Sequence, residues 1–60
     1  MNLLRITYED KNGEERIGCF IETDSGYWSV SISEKYSLRK IIKKEEVYVL
    51  KGELKFMEIK

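Results

Sequence analysis

Histidine and proline are both absent from these sixty residues, cysteine occurs once, and the eleven basic side chains are matched by eleven acidic ones. Each absence excludes something. Without histidine the commonest general base and the commonest metal ligand are missing, and one cysteine makes neither a structural zinc site nor an internal disulfide. A lone thiol fits a reducing compartment, and no apolar run has the length of a membrane span or signal peptide, so a cytoplasmic location is expected with no membrane partner. Zero net charge removes any long-range field that would draw the whole molecule onto nucleic acid or anionic lipid. The four glycines are dispersed and form no phosphate-cradling pattern. No cofactor, metal or catalytic constellation is expected, and the chain reads as a non-enzyme. Its abundance of Lys, Glu and Ile is that of an AT-rich bacterial, archaeal or phage gene.

Length confines the chain to a single domain, residues 1–60. A domain so small buries barely enough apolar area to offset the entropy of ordering it, which points to extra burial through self-association, as a homodimer, or through a partner. The charges are also unevenly distributed. Residues 1–34 carry three basic groups, Arg5, Lys11 and Arg16, against seven acidic ones, whereas residues 35–60 carry eight against four.

Residues 3–9 alternate apolar and polar, with Leu4, Ile6 and Tyr8 on one side and Arg5, Thr7 and Glu9 on the other, the period of a strand. Asn12-Gly13 follows, a dipeptide suited to a two-residue hairpin turn. Centring the turn there pairs Tyr8 with Ile17, Ile6 with Cys19 and Leu4 with Ile21. A second turn at Thr23-Asp24-Ser25-Gly26 pairs Ile21 with Trp28, Cys19 with Val30 and Ile17 with Ile32. Both registers gather one apolar face of nine residues: Leu4, Ile6, Tyr8, Ile17, Cys19, Ile21, Trp28, Val30 and Ile32. On that reading Cys19 is an inert core filler.

Leu38, Ile41 and Ile42 stand at i, i+3, i+4 and predict a short helix over residues 34–44, with a strand through 37–42 as the rival. Residues 46–50 and 54–59 predict a closing hairpin about Lys51-Gly52, pairing Val47 with Phe56 and Val49 with Leu54 on the inward face. Met57 and Ile59 then fall on the opposite parity unless a bulge intervenes. The expected architecture is all-β or β-rich, β-β-β-α-β-β, a five-stranded, partly open antiparallel barrel of OB-like or SH3-like type with one helix between the third and fourth strands.

Two features are left to carry binding. The opposite sheet face sets Phe20 and Tyr27 among Arg5, Ser29 and Ser31, an arrangement able to anchor a protein or stack on bases. The basic run Lys35, Arg39, Lys40, Lys43 and Lys44 would line the helix as a positive stripe, the ordinary alternative being a solvated surface. The function expected is that of a small protein-binding, regulatory or inhibitory accessory module; the alternative is a nucleic-acid binder.

Overall fold

In the computed structural model, which describes residues 2–59, the chain is all-β: one antiparallel sheet of six strands that does not close. The strands are β1 (Leu3–Glu9), β2 (Glu15–Thr23), β3 (Gly26–Ser29), β4 (Glu34–Tyr36), β5 (Lys40–Leu50) and β6 (Glu53–Ile59), ordered β4-β3-β2-β1-β5-β6 across the sheet. No helix forms among the described residues, and none therefore has the length and apolarity to cross a membrane. Residues 34–44, expected to be helical, form β4 and the start of β5. Ile41 and Ile42 are β-branched, and pairing with β1 supplies ladder bonds that three apolar residues at helical spacing could not outweigh. Ile42 is the extra residue of a bulge, since Thr7 pairs with Lys43 and Tyr8 with Ile41.

The first hairpin differs from expectation by one residue, and the difference inverts a strand. Leu4 pairs with Phe20, Ile6 with Gly18 and Thr7 with Ile17. The loop is 11–13 rather than Asn12-Gly13 alone. The Gly13 N–H donates to the Asp10 carbonyl at 3.0 Å, and the Asp10 N–H donates to the Glu14 carbonyl at 2.8 Å. The Asp10 carboxylate accepts from the N–H groups of Asn12 and Glu14 at 2.8 and 2.9 Å, and Gly13 takes φ +80°. This is a type I turn closed by a left-handed glycine, with Asp in the position that such turns favour. A slip of one residue moves every side chain of a strand to the other face.

Leu4, Ile6 and Tyr8 consequently join Phe20 and Tyr27, not Ile17, Cys19 and Ile21. Among the described residues Leu4, Ile6 and Phe20 are the buried apolar ones, with Tyr8, Tyr27 and Leu38 packed around them. Phe20 is 2% exposed and Trp28 42%, the reverse of the sequence expectation. The rings meet edge to face, Tyr8 with Phe20 at 5.8 Å and Phe20 with Tyr27 at 6.4 Å between centroids. Gly18 makes room for this, because a Cβ there would lie 2.8 Å from the Phe20 ring. Side chains on this face also reach strands that are not neighbours. Tyr8 on β1 meets Tyr36 on β4 at 6.0 Å, and the Lys44 Nζ on β5 donates to the Tyr27 hydroxyl on β3 at 3.0 Å. The sheet is thus curled with the Leu4–Ile6–Phe20 face on its inside.

The β2–β3 and β5–β6 hairpins follow their expected registers, and β3–β4 is a further hairpin in the segment expected to begin a helix. Ile21 pairs with Trp28, and the Val30 N–H donates to the Cys19 carbonyl at 3.1 Å. The loop is shorter than expected, since Thr23 already pairs with Gly26. Val47 pairs with Phe56 and Val49 with Leu54, without a bulge, so Met57 and Ile59 do take the opposite face. Val47, Phe56, Val49 and Leu54, expected inward, lie on the face away from Leu4, Ile6 and Phe20.

Candidate interaction surface

With β1 inverted, the outer, convex face carries the apolar residues that the sequence assigned to a core. The registers set them in a row across five strands. Trp28 on β3 pairs with Ile21 on β2, and Ile21 with Leu3 on β1. Leu3 lies one position before the Leu4–Glu46 pair, beside Val47 on β5, and Val47 pairs with Phe56 on β6. Val30 and Ile17 extend the patch on one side, Val49 and Leu54 on the other. Ile17, Val49 and Leu54 are 66%, 67% and 64% exposed. Leu3, Trp28, Val30 and Phe56 are 38–45% exposed, so apolar side chains face water over most of the row, the kind of surface that marks an interaction site.

The charged groups next to the row satisfy one another. The Arg5 guanidinium donates to both Glu45 carboxylate oxygens, Nε at 2.9 Å and Nη2 at 3.0 Å, the bidentate geometry that makes such pairs strong. The guanidinium also lies 3.6 Å from the Phe56 ring centroid, a cation–π contact across β5. The hydrogen bond from Arg5 holds the Glu45 carboxyl below its ordinary range, with burial opposing, and the same bond raises Arg5. Lys43 adds a longer contact to Glu45 at 3.9 Å. The centre of the face is therefore an ion pair laid on an aromatic ring, with both Glu45 oxygens already accepting from Arg5.

The residues singled out for binding are dispersed. Arg5 belongs to the convex face, as described. Phe20 is taken out of any contact surface by burial, because it is the centre of the core. Tyr27 is half-buried with its hydroxyl held by Lys44 and donating to Glu22 at 3.3 Å, and Ser29 is buried with Ser31 3.3 Å away. The positive stripe does not exist as one surface. Lys35 on β4 faces outward opposite Trp28, while Lys40 pairs with Glu9 at 3.4 Å and Lys44 with Glu22 at 3.5 Å on other parts of the sheet. A strand alternates its side chains between faces, so a run that would form a stripe on a helix is divided here.

Arg39 stands apart, in an open cleft of about 630 Å³ with Tyr8, Tyr36, Asp10 and Arg16. Within it, Arg16 Nε donates to Asp10 at 3.0 Å and Arg16 Nη2 to Glu14 at 3.0 Å. The backbone N–H of Glu14 and the Arg16 guanidinium lower the Asp10 carboxyl, whereas burial raises Tyr8.

Ile17, Cys19, Trp28, Val30 and Ile32 are exposed residues that sequence reasoning placed inside, and Ile21 beside them is only half-buried. Cys19 is an exposed free thiol, not a core filler. The signal that would have found them is Asp10 at the first position of a type I turn, which adds one residue to the loop. Among the described residues no cluster of three or more His, Cys, Asp or Glu side chains is suited to a metal ion. No protein-family model matches the chain, and neither the curated proteins nor the solved structures contain a significant match to it.

Proposed function

We propose that this chain is a protein-interaction module, an accessory factor without catalysis of its own, that docks through the convex apolar row from Trp28 to Phe56. The observation that carries the reading is the imbalance between inside and outside: among the described residues three apolar ones are buried, while fifteen large ones remain exposed. The convex face carries seven of those fifteen and neutralises its own central charges. Exposed aromatic side chains such as Trp28 and Phe56 are of the type that anchors protein interfaces. The curled, unclosed sheet supports a place among small OB-like or SH3-like barrels, and the single thiol supports a reducing, cytoplasmic setting.

The test is capture of a partner from a nuclease-treated host extract. Trp28→Glu and Val30→Glu abolish capture if the face is the site, while Lys11→Glu at the distant hairpin tip retains it. Equal capture by all three ends the proposal.

A nucleic-acid reading draws on one feature, the cleft that sets Arg39 and Arg16 beside Tyr8 and Tyr36. Its weakness is that Arg16 is already paired with Asp10 and Glu14. Binding to random oligonucleotides at about 50 mM salt, falling steeply as salt rises, is the outcome that would favour it over docking of a protein.

A further inference from the structure

The two edges of the sheet are unlike. β4 is three residues long, whereas β6 is seven, has no proline, and pairs with β5 without a bulge. Short or interrupted edge strands discourage pairing with another chain; a long straight one offers a template. The turn before β6 shows which of its backbone groups are on offer. Lys51 and Gly52 have φ of 53° and 78°, a type I′ turn, so the flanking Leu50–Glu53 pair is of the doubly hydrogen-bonded kind. By alternation, the N–H and C=O of Leu54, Phe56 and Glu58 point away from β5. The side chains along this edge are apolar on both faces, Leu54 and Phe56 on the convex one, Met57 and Ile59 on the other, each 39–64% exposed.

We propose that β6 pairs antiparallel with β6 of a second copy of this chain, about a two-fold axis through Phe56. Residues opposite each other in a ladder share a face, so a self-pairing must be centred on a residue. Phe56 is the midpoint of Glu53–Ile59, and centring there uses the whole strand. Leu54, Phe56 and Glu58 then meet Glu58, Phe56 and Leu54 of the copy, and all six outward backbone groups on each side find partners. Lys55 faces Met57 and Glu53 faces Ile59, so no charge opposes its like; Lys55 keeps its own Glu53 at 3.2 Å. Centring on Lys55 would oppose two lysines, and centring on Met57 would oppose Phe56 with Glu58 and shorten the ladder.

The axis has a further effect. It runs perpendicular to the sheet, so both convex faces stay on one side, and the two apolar rows join end to end through the paired Phe56 rings. Self-pairing therefore doubles the docking face without covering it, and it stands independently of what that face binds.

Sedimentation equilibrium of the full chain from about 5 to 500 µM tests the pairing, with mass rising from one chain to two across the series. Glu58→Pro removes an outward N–H but none of the bonds to β5, and is expected to stay monomeric with an unchanged β-sheet circular dichroism spectrum. In a Cys19→Ser background, Phe56→Cys is expected to form a disulfide-linked dimer on mild oxidation, because a hydrogen-bonded antiparallel pair holds Cα atoms about 5.5 Å apart. Leu54→Cys is expected not to, since its own counterpart lies four residues further along, roughly 13 Å away. Wild-type chain that is monomeric throughout, a dimer that survives Glu58→Pro, or linkage at position 54 in place of 56 overturns the proposal. If Glu58→Pro fails to fold, the two cysteine variants decide. Loss of capture by Trp28→Glu with the dimer intact would leave the pairing standing, and a monomer that still captures a partner through Trp28 would remove it alone.

Discussion

Among single residues, Phe20 is the one on which the fold turns. Its ring fills the inside of the curl against Leu4, Ile6, Tyr8 and Tyr27, and no other aromatic side chain is fully buried among the described residues. Truncating a buried phenylalanine costs about 3–5 kcal/mol, comparable with the whole stability of a domain this small. Phe20→Ala is therefore expected to be unfolded or nearly so by urea titration, whereas Trp28→Ala, at an exposed site, shifts the midpoint little. Gly18 is the complement of Phe20. A valine there drives its Cβ into the ring, which lies 2.8 Å from the Cβ position, and overpacking of this kind costs about 1–3 kcal/mol. Gly18→Val with a stability loss under the error of the titration would show that the ring has another place to go.

Two carboxyls set the acid limit. Asp10, held by the N–H of Glu14 and the Arg16 guanidinium, and Glu45, held by Arg5, both titrate lower in the folded chain than in the unfolded one. Groups of that kind contribute stability that is complete above the ordinary carboxylate range and is lost as pH falls through it to the folded values. Denaturation midpoints are expected to be flat from about pH 6 to 8 and to drop below about pH 4, and Glu45→Gln should flatten part of that drop.

For the elements, the lesson lies in the first hairpin. Its register is set by a local contest between two turns that the same residues can form. Asn12 and Gly13 suit a two-residue type I′ loop. Asp10 suits a three-residue loop, because its carboxylate caps two backbone N–H groups while Gly13 takes the left-handed position. The second wins because it also sends Leu4 and Ile6 to the side of Phe20. Gly13→Ala puts a side chain at φ +80° and is expected to cost about 1 kcal/mol with the register intact. Asp10→Ala removes the cap itself, and backbone chemical shifts of residues 9–15 should then report a mixture of the two loops. Unchanged shifts would mean that the core alone specifies the register.

Among the remaining elements, Ile21–Trp28 and Val47–Phe56 pair as the turn residues predict, although parity in the β5–β6 hairpin also allowed a bulge, which the straight pairing of β6 rules out. The segment 34–44 was not legible. Its apolar spacing fits a helix in isolation, but its start pairs with β3, and its end becomes a strand only by pairing with β1, more than thirty residues earlier in the chain.

At the scale of the whole molecule, the curl decides what is a core and what is a surface. The concave side is small enough that three apolar residues and a shell of tyrosines fill it, which leaves the convex side and the β5–β6 hairpin outside. A monomer so built is marginal. Pairing through β6 would couple stability to concentration, because anything that binds only the folded chain stabilises it by mass action. The thermal midpoint is expected to rise by several degrees between about 10 and 500 µM, and to be independent of concentration in Glu58→Pro. A midpoint that does not move in the wild type would mean that the single curled sheet is sufficient by itself.

The sequence by itself determined that the chain is β-rich in most of its length, where three of the hairpin turns fall, and the offsets of two of those hairpins. These follow from period-two alternation and turn chemistry, which are local properties of a few residues. Only the tertiary structure decided which face is inside. That choice rests on one residue of register in the first loop and on the contact of Phe20 with Leu4 and Ile6, and a sheet with apolar side chains on both faces carries no local mark of which one will be covered.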